Sequence, residues 1–336
     1  LFDNKKLILR FGDLADSGCI INILTEIKNT YTEELIDKFE IYNLGAMSHV
    51  KVSFEIPEYS GNIDGLGTLR ILEAIRASNM SNKIIRTTNT NVPYYWSENK
   101  AARSGNGQFS TDGQTLFSYN MPIGKTVKGE KILCDYTPFY PRSPYAVAKL
   151  YAYWIVINYR EAYGLFACNG ILFNHESDRR GPTFVTKKIT REINKIVNGE
   201  IDHMTLGNIN SKRDWGHAND FVRGMWLMLQ HNKPDDFVLA TGKSHSVREF
   251  IEQAFLIKGI TIQWNGEGIN EIGYDVLSNK ELIFISEKYF RPTEVDELIG
   301  DYSKAKRELG WEPEISFEEL IEEMVKGRSG HSATVP

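Results

Sequence analysis

Apolar residues recur at helical spacing or in short bounded runs, and the two textures alternate along most of the chain. Leu7-Ile8-Leu9-Arg10-Phe11 is a short apolar run that stops at Gly12-Asp13, which predicts a strand and a turn. Ser17 to Lys28 carries Ile20, Ile21, Ile23, Leu24 and Ile27, the spacing of an amphipathic helix. Phe39 to Leu44 is a buried-strand pattern closed by Gly45. Glu58 to Ser78 is again helical, with Leu66, Leu69, Ile71, Leu72 and Ile75. Lys83 to Thr88 predicts a strand, and Leu165 to Phe173 another. Between them, Pro144 to Tyr163 predicts a long helix with Ser143 as N-cap, Pro144 at the first helical position and Gly164 after its end. Strands alternating with helices imply βαβ units and a parallel sheet covered on both faces.

From about Thr183 the pattern becomes a mixed one. Helices are predicted over Phe184 to Val197, Ala218 to Gln230, Val247 to Ile257, Ser303 to Leu309 and Phe317 to Val325, with short strands at Phe237 to Ala240 and Leu282 to Ile285. The division expected is 1–183 for a nucleotide-binding domain, 184–326 for a smaller α/β substrate domain, and 327–336 for a polar tail. Two irregularities stand out. Residues 93–135 are rich in Gly, Ser, Asn and Thr with no period, and uninterrupted loops of that length are uncommon in compact domains. No glycine-rich dinucleotide motif follows an early strand. Gly61, Gly65 and Gly67 cluster, but on the way into a helix and at the wrong spacing.

Composition narrows the chemistry. A length of 336 residues with 41% apolar content supports a full core. The net charge of −5 argues against a nucleic-acid binder and leaves room for a small phosphate-bearing ligand. Cys19, Cys134 and Cys168 are few and widely spaced, which indicates neither a disulfide framework nor a metal site and fits a reducing compartment such as the cytoplasm. No apolar run reaches the length of a membrane span, and no signal-peptide pattern is read at the start.

The chemistry-bearing signal is Tyr145-x-x-x-Lys149. Residues four apart share a helix face. An ammonium beside a phenol favours the phenolate, which can take a proton from a hydroxyl while hydride leaves the same carbon. Spacing alone is weak: with 16 tyrosines, about one chance match is expected, and Tyr302 with Lys306 supplies one. Context separates them. Tyr145 follows Pro141-Arg142-Ser143-Pro144 and precedes small residues, whereas Tyr302 opens a charged C-terminal helix and is read as structural.

The stretch from Tyr136 to Trp154 (YTPFYPRSPYAVAKLYAYW) closely resembles the GDP-mannose 4,6-dehydratases, extended short-chain dehydrogenase/reductases. So do Tyr42 to Val50, Phe173 to Ser177, Lys212 to His217 and Arg291 to Asp296. The resemblance runs from about Leu7 to Met324, broken between Thr87 and Asp135. It implies a doubly wound, Rossmann-like sheet, NADP as cofactor, GDP-mannose as substrate, and a homo-oligomer of two or four chains. It further implies cofactor contacts from Asp13 and Leu14, from Leu44, Gly45, Ala46, Met47 and Ser48, and from Tyr59, Tyr145, Lys149, His175 and Arg180. Met47 stands where the family has glutamine. Asn174, Lys188, Arg213, Arg291 and Glu294 match the nucleotide-sugar contacts, and arginine forks suit a diphosphate. The family reaction oxidises C4, removes the C5 proton with loss of the C6 hydroxyl as water, and returns the hydride to C6.

Two departures from the family pattern carry expectations of their own. The family ends the strand before the catalytic helix with Thr-Ser-Glu, the threonine binding the sugar 4-hydroxyl and the glutamate removing the C5 proton. Here Asn89, Thr90 and Asn91 take those places, so Thr90 or Thr88 serves as the threonine only after a slip, and no register supplies the glutamate. An amide is no proton acceptor. Glu98 follows in the irregular segment. In addition, the chain starts where the family's third strand would stand, so the sheet is expected to lack its first two strands and the phosphate loop. The Leu7–Phe11 strand would then have no neighbour. The expectation is weak cofactor binding and little dehydratase turnover. The alternatives are an inactive scaffold or partner subunit, and an epimerase or reductase of the same superfamily.

Overall fold

The computed structural model describes residues 7–36, 38–80, 86–90, 132–133, 141, 143–290 and 298–327. The first elements are α1 (Ser17–Thr30), α2 (Glu33–Ile36), β1 (Glu40–Asn43), α3 (Val50–Glu55), α4 (Pro57–Ser60), a π-helical turn (Gly61–Leu66) and α5 (Gly67–Ala77). Then come β2 (Arg86–Thr90), β3 (Ile132–Leu133), α6 (Pro144–Tyr163) and β4 (Ala167–Leu172). They are followed by β5 (Asn174–Glu176), α7 (Val185–Val197), β6 (Met204–Leu206), β7 (Lys212–Arg213), β8 (Trp215–His217), α8 (Ala218–Gln230) and β9 (Asp236–Leu239). The last are β10 (His245–Ser246), α9 (Val247–Leu256), β11 (Ile262–Asn265), β12 (Ile272–Asp275), β13 (Glu281–Ile285), β14 (Ile299–Gly300), α10 (Ser303–Leu309) and α11 (Phe317–Lys326).

The described residues of Leu1–Tyr94, Phe139–Ile171 and Leu227–Phe237 cluster in one compact unit. Those of Tyr95–Pro138, Leu172–Trp226 and Val238–Pro336 cluster in another. The main sheet has the order β1-β2-β4-β9, with β1, β2 and β4 mutually parallel. Helices α1, α5 and α6 bury Leu24, Leu72, Ile75, Val156 and Tyr159 in the first unit's core. The Arg160 guanidinium of α6 meets Asp236 at 2.9 and 3.0 Å, and Asp236 also accepts from the Asn169 amide and side chain. The second unit holds an antiparallel hairpin, β11-β12-β13, with β6 added in parallel to β13. Its core gathers α7, α9 and α11 around Ile189, Phe250, Phe255 and Leu320.

The α/β class and the parallel sheet are as the sequence predicts, and the helix at Pro144 has the predicted bounds. Ser143 Oγ accepts from the Ala146 N–H at 3.0 Å, and Gly164 ends the helix at φ +65°. The predicted strand at Leu7–Phe11 is not formed. Residues 7–12 are irregular, and Phe11 is 90% exposed. Among the described residues β1 pairs only with β2, so this run has no strand beside it and its backbone pairs with nothing extended. The single helix predicted over Glu58–Ser78 is α4 and α5 joined through the π-helical turn. Among the described residues no helix is long and apolar enough to cross a membrane.

Candidate active site

Tyr145 and Lys149 lie on the first two turns of α6, both buried, with Lys149 Nζ 5.6 Å from the centre of the Tyr145 ring. Lys149 is only 1% exposed. Burial pushes its ammonium down to about 8, and the Asp64 carboxylate opposes part of that fall. The Asp64 carboxyl is itself raised by burial, with Lys149 and the Met47 N–H pulling it back. Asp64 and Lys149 are each only 1% exposed.

The backbone explains how Asp64 comes to be there. In the π-helical turn, Gly65 lies against α6, where a Cβ would stand 3.3 Å from the Ala148 carbonyl oxygen and 3.4 Å from the Tyr151 ring. A side chain there would fit only if the neighbouring helix gave way by a few tenths of an ångström. The small residues after Tyr145 are therefore a packing surface. Wider turns of this type are uncommon and tend to occur at functional sites.

The cofactor segment read from the resemblance is assembled around Leu14. A Cβ on Gly45 would meet Leu14 Cδ1 at 2.6 Å, and one on Gly67 would meet Leu14 Cβ at 3.0 Å. Arg70 Nη1 donates to the Leu14 carbonyl at 2.8 Å, which fixes the turn to α5. Asp13 is exposed and caps its own turn through the Ala15 N–H. Leu44, Gly45 and Ser48 are exposed beyond the carboxyl end of β1, Ala46 is half-buried, and the Met47 N–H donates to Asp64 Oδ1 at 2.7 Å. Tyr59 is exposed on α4. The carboxyl ends of parallel strands are where such sheets receive nucleotides. The backbone of Thr90 ends β2 and is in register with Gly170 of β4.

The remaining predicted residues belong to the second unit. Asn174 and His175 sit on β5, paired in register with Trp215 and Gly216 of β8. His175 Nδ1 lies 2.9 Å from the Phe173 carbonyl, its ring stacks on Phe221, and burial lowers its pKa. Glu176 Oε2 accepts from Thr186 and lies 3.1 Å from Arg180, whose guanidinium covers the Phe184 ring at 3.7 Å. Arg180 is thereby held by structural partners. Lys188 donates to the Thr205 carbonyl and lies 4.1 Å from the Tyr289 ring centre. Arg213 is buried and donates to the Lys212 carbonyl. Arg291, Glu294, Asn91, Glu98 and Cys134 lie outside the described residues.

Sequence reasoning missed Asp64 and Asp214. Asp214 is fully buried and accepts from Thr241 N–H and Oγ1, Gly242 N–H and Gly300 N–H, which anchors the β7–β8 bend beside Arg213. Burial pushes its carboxyl up to about 6 against those donors. Nothing in the local sequence distinguishes either aspartate from a surface one. Tyr302, by contrast, packs edge-on against Trp311, and Lys306 pairs with Glu312. Among the described residues no cluster of His, Cys, Asp and Glu could hold a metal ion.

The family described as "GDP-mannose 4,6 dehydratase" matches residues 2–90 and 125–324. A curated GDP-mannose 4,6 dehydratase of Dictyostelium discoideum is 51% identical over 325 residues, 97% of this chain and 80% of that protein. Among solved structures, RMD from Pseudomonas aeruginosa complexed with NADPH superposes at a TM-score of 0.68 with 18% identity, covering 95% of this chain and 88% of that one. The DesIV double mutant, a dTDP-glucose 4,6-dehydratase from Streptomyces venezuelae with NAD and DAU bound, gives 0.69 with 18% identity, covering 97% and 80%. At those identities the two structures speak for the fold alone.

Proposed function

The chain belongs to the GDP-mannose 4,6-dehydratase family, and on that premise we infer that it converts GDP-mannose to GDP-4-keto-6-deoxymannose with loss of one water. It is a lyase of nucleotide-sugar metabolism with a nicotinamide cofactor. We further propose NADP as that cofactor and the residue roles that follow. The observation that carries the reading is the buried Tyr145–Lys149 pair on the first turns of a capped helix, inside a family match that spans most of the chain.

A bound nicotinamide supplies a reversible sink for the sugar C4 hydride. The residues present fit it: exposed backbone at Leu44, Gly45 and Ser48 beyond the end of β1, with a lysine whose ammonium can donate to a ribose hydroxyl. Tyr145 as phenolate takes the O4 proton, and the Lys149 charge makes that phenolate accessible near neutral pH. Asp13, Leu14, Ala46, Met47, Tyr59, His175 and Arg180 complete the proposed cofactor contacts. Thr90 holds the 4-hydroxyl. Asn174, Lys188, Arg213, Arg291 and Glu294 hold GDP-mannose, the arginines by charge-assisted forks on the diphosphate. The C5 proton is the step these residues equip least, because the family match breaks off at Thr90, just where the glutamate would follow.

The test is incubation with GDP-mannose and NADP, followed by mass spectrometry for the dehydrated nucleotide sugar. Absence of product from the chain and from a version carrying a carboxylate at position 91 would overturn the reading.

We also propose that the chain forms a homo-oligomer through the outer face of α6. Val147, Tyr151 and Trp154 are 55%, 41% and 56% exposed at four- and three-residue spacing, on a helix whose opposite face is already buried. A helix apolar on both sides is one that gets covered on both. Trp154→Glu should shift light-scattering mass toward the single chain.

A further inference from the structure

Glu176 is a buried carboxylate to which the roles above give no task. It ends β5 at 2% exposure, with its backbone in register with His217 of β8. A carboxylate so enclosed is costly unless a donor and a counter-charge compensate it. The segment that follows supplies both. Thr186 Oγ1, in the first turn of α7, donates to Glu176 Oε2 at 2.7 Å, and Arg180 Nε lies 3.1 Å from the same oxygen. Burial raises the Glu176 carboxyl, and the Arg180 charge and the Thr186 hydroxyl pull it back. One oxygen thus ties the two ends of the 177–184 loop together and meets the arginine at its middle.

The loop is shaped around that arginine. The Arg180 N–H donates to the Ser177 carbonyl, and the Phe184 N–H donates to the Gly181 carbonyl. Gly181 lies close against the Phe184 ring, where a Cβ would stand 3.2 Å from Cδ2. The Arg180 guanidinium covers the other side chain's ring at 3.7 Å, so its plane rests on Phe184 while its Nε is turned to Glu176. Nε is enclosed, yet 25% of the side chain stays open to solvent. A guanidinium held by its face and its Nε has the donors of its terminal nitrogens to offer an anion.

We propose that Glu176 is the positioning residue for Arg180, fixing the guanidinium on the Phe184 ring so that its terminal nitrogens are presented to the anionic groups of the nicotinamide cofactor. The inference rests on Arg180 being a cofactor contact, as in the proposed function. Without the carboxylate the arginine keeps its charge and loses its place. The ligand must then order a long side chain itself, at a cost in affinity.

The test uses the full chain with NADPH as the probe and its fluorescence as the readout. Glu176→Gln keeps the size of the side chain and an oxygen for Thr186, and removes the charge. In it the Kd for NADPH should rise about tenfold, while the Kd for GDP stays within about twofold of the parent. A merely structural defect would weaken both. In an Arg180→Leu background, Glu176→Gln should change the NADPH Kd no further, because its effect passes through the arginine. Additive losses overturn the proposal, as does a parent-like Kd in Glu176→Gln. A second readout needs no ligand. With isotope-labelled arginine, the Arg180 Nε–H signal is identified by its loss in Arg180→Leu, and it should exchange with water about tenfold faster in Glu176→Gln. An unchanged rate overturns the proposal. Should the parent not bind NADPH, the cofactor reading falls, and the exchange rate still decides whether Glu176 holds the arginine. Should Glu176→Gln not fold, the parent decides alone: an Arg180 Nε–H that exchanges as fast as that of the exposed Arg191 overturns the proposal.

Discussion

Lysine 149 makes the enclosure of the pair measurable as a stability that climbs with pH. An unfolded lysine keeps its proton to about 10.5, whereas the buried one gives it up at about 8. Below pH 8 both states hold the proton, and the full cost of burying the charge is present. Between those values the unfolded chain binds more protons than the folded one, so unfolding becomes harder as pH rises. Each pKa unit is about 1.4 kcal/mol, so the fall from 10.5 to about 8 amounts to roughly 3 kcal/mol. At 1% exposure, solvent screening takes little from that figure. Urea unfolding of the parent and of Lys149→Met across this window isolates the effect, since titrating groups that do not interact with Lys149 cancel in the difference. The parent should gain about 3 kcal/mol on the variant between pH 8 and 10.5 and gain nothing between pH 7 and 8. A difference that stays flat throughout would refute the claim that the site holds a strained ammonium.

Other expectations follow from the same geometry. Tyr145→Phe should lower kcat by about 10²–10⁴-fold, the range for losing a general base, with Tm within a degree or so of the parent. Asn91→Glu should raise dehydratase turnover by about 10²-fold if the alignment of residues 89–91 is right, and unchanged turnover would exclude that register. Arg213→Lys should raise the KM for GDP-mannose by about tenfold or more, because a point charge replaces a fork. Gly65→Val should cost about 1–3 kcal/mol in urea unfolding, since the new side chain meets the Ala148 carbonyl and the Tyr151 ring at contact distance or closer.

What sequence could reach depended on whether the signal was local. The Pro144 helix was fully legible, because Ser143, Pro144 and Gly164 act within a few residues of where they stand. That Tyr145 and Lys149 share one face of it was legible from spacing, but spacing fitted Tyr302 and Lys306 equally well, and only the flanking residues separated the two. Leu7–Phe11 looked equally strand-like, but a strand needs a partner, and apolar periodicity does not report one. The hairpin of β11 and β12 was missed because each strand has only four residues, too few to show alternation above background. The burial of Asp64 was invisible because the π-helical turn packs on α6 through a contact 83 positions away along the chain, Gly65 against Ala148. Conversely, Asp13 carries a family resemblance, and its side chain is found capping its own turn.

The π-helical turn has one more implication, for insertions and deletions. A turn closing on five residues is an α-helix that has taken in one extra residue, so α4 and α5 are out of phase by about 100° relative to a continuous helix. Removing one residue of Gly61–Leu66 other than Asp64 or Gly65 would restore that phase while keeping both of those residues. Gly65 would then rotate off the face that meets Ala148 and Tyr151 of α6. Along the helix that runs from Pro57 to Ala77, this is the place where loss of a single codon should silence the site while leaving the fold standing.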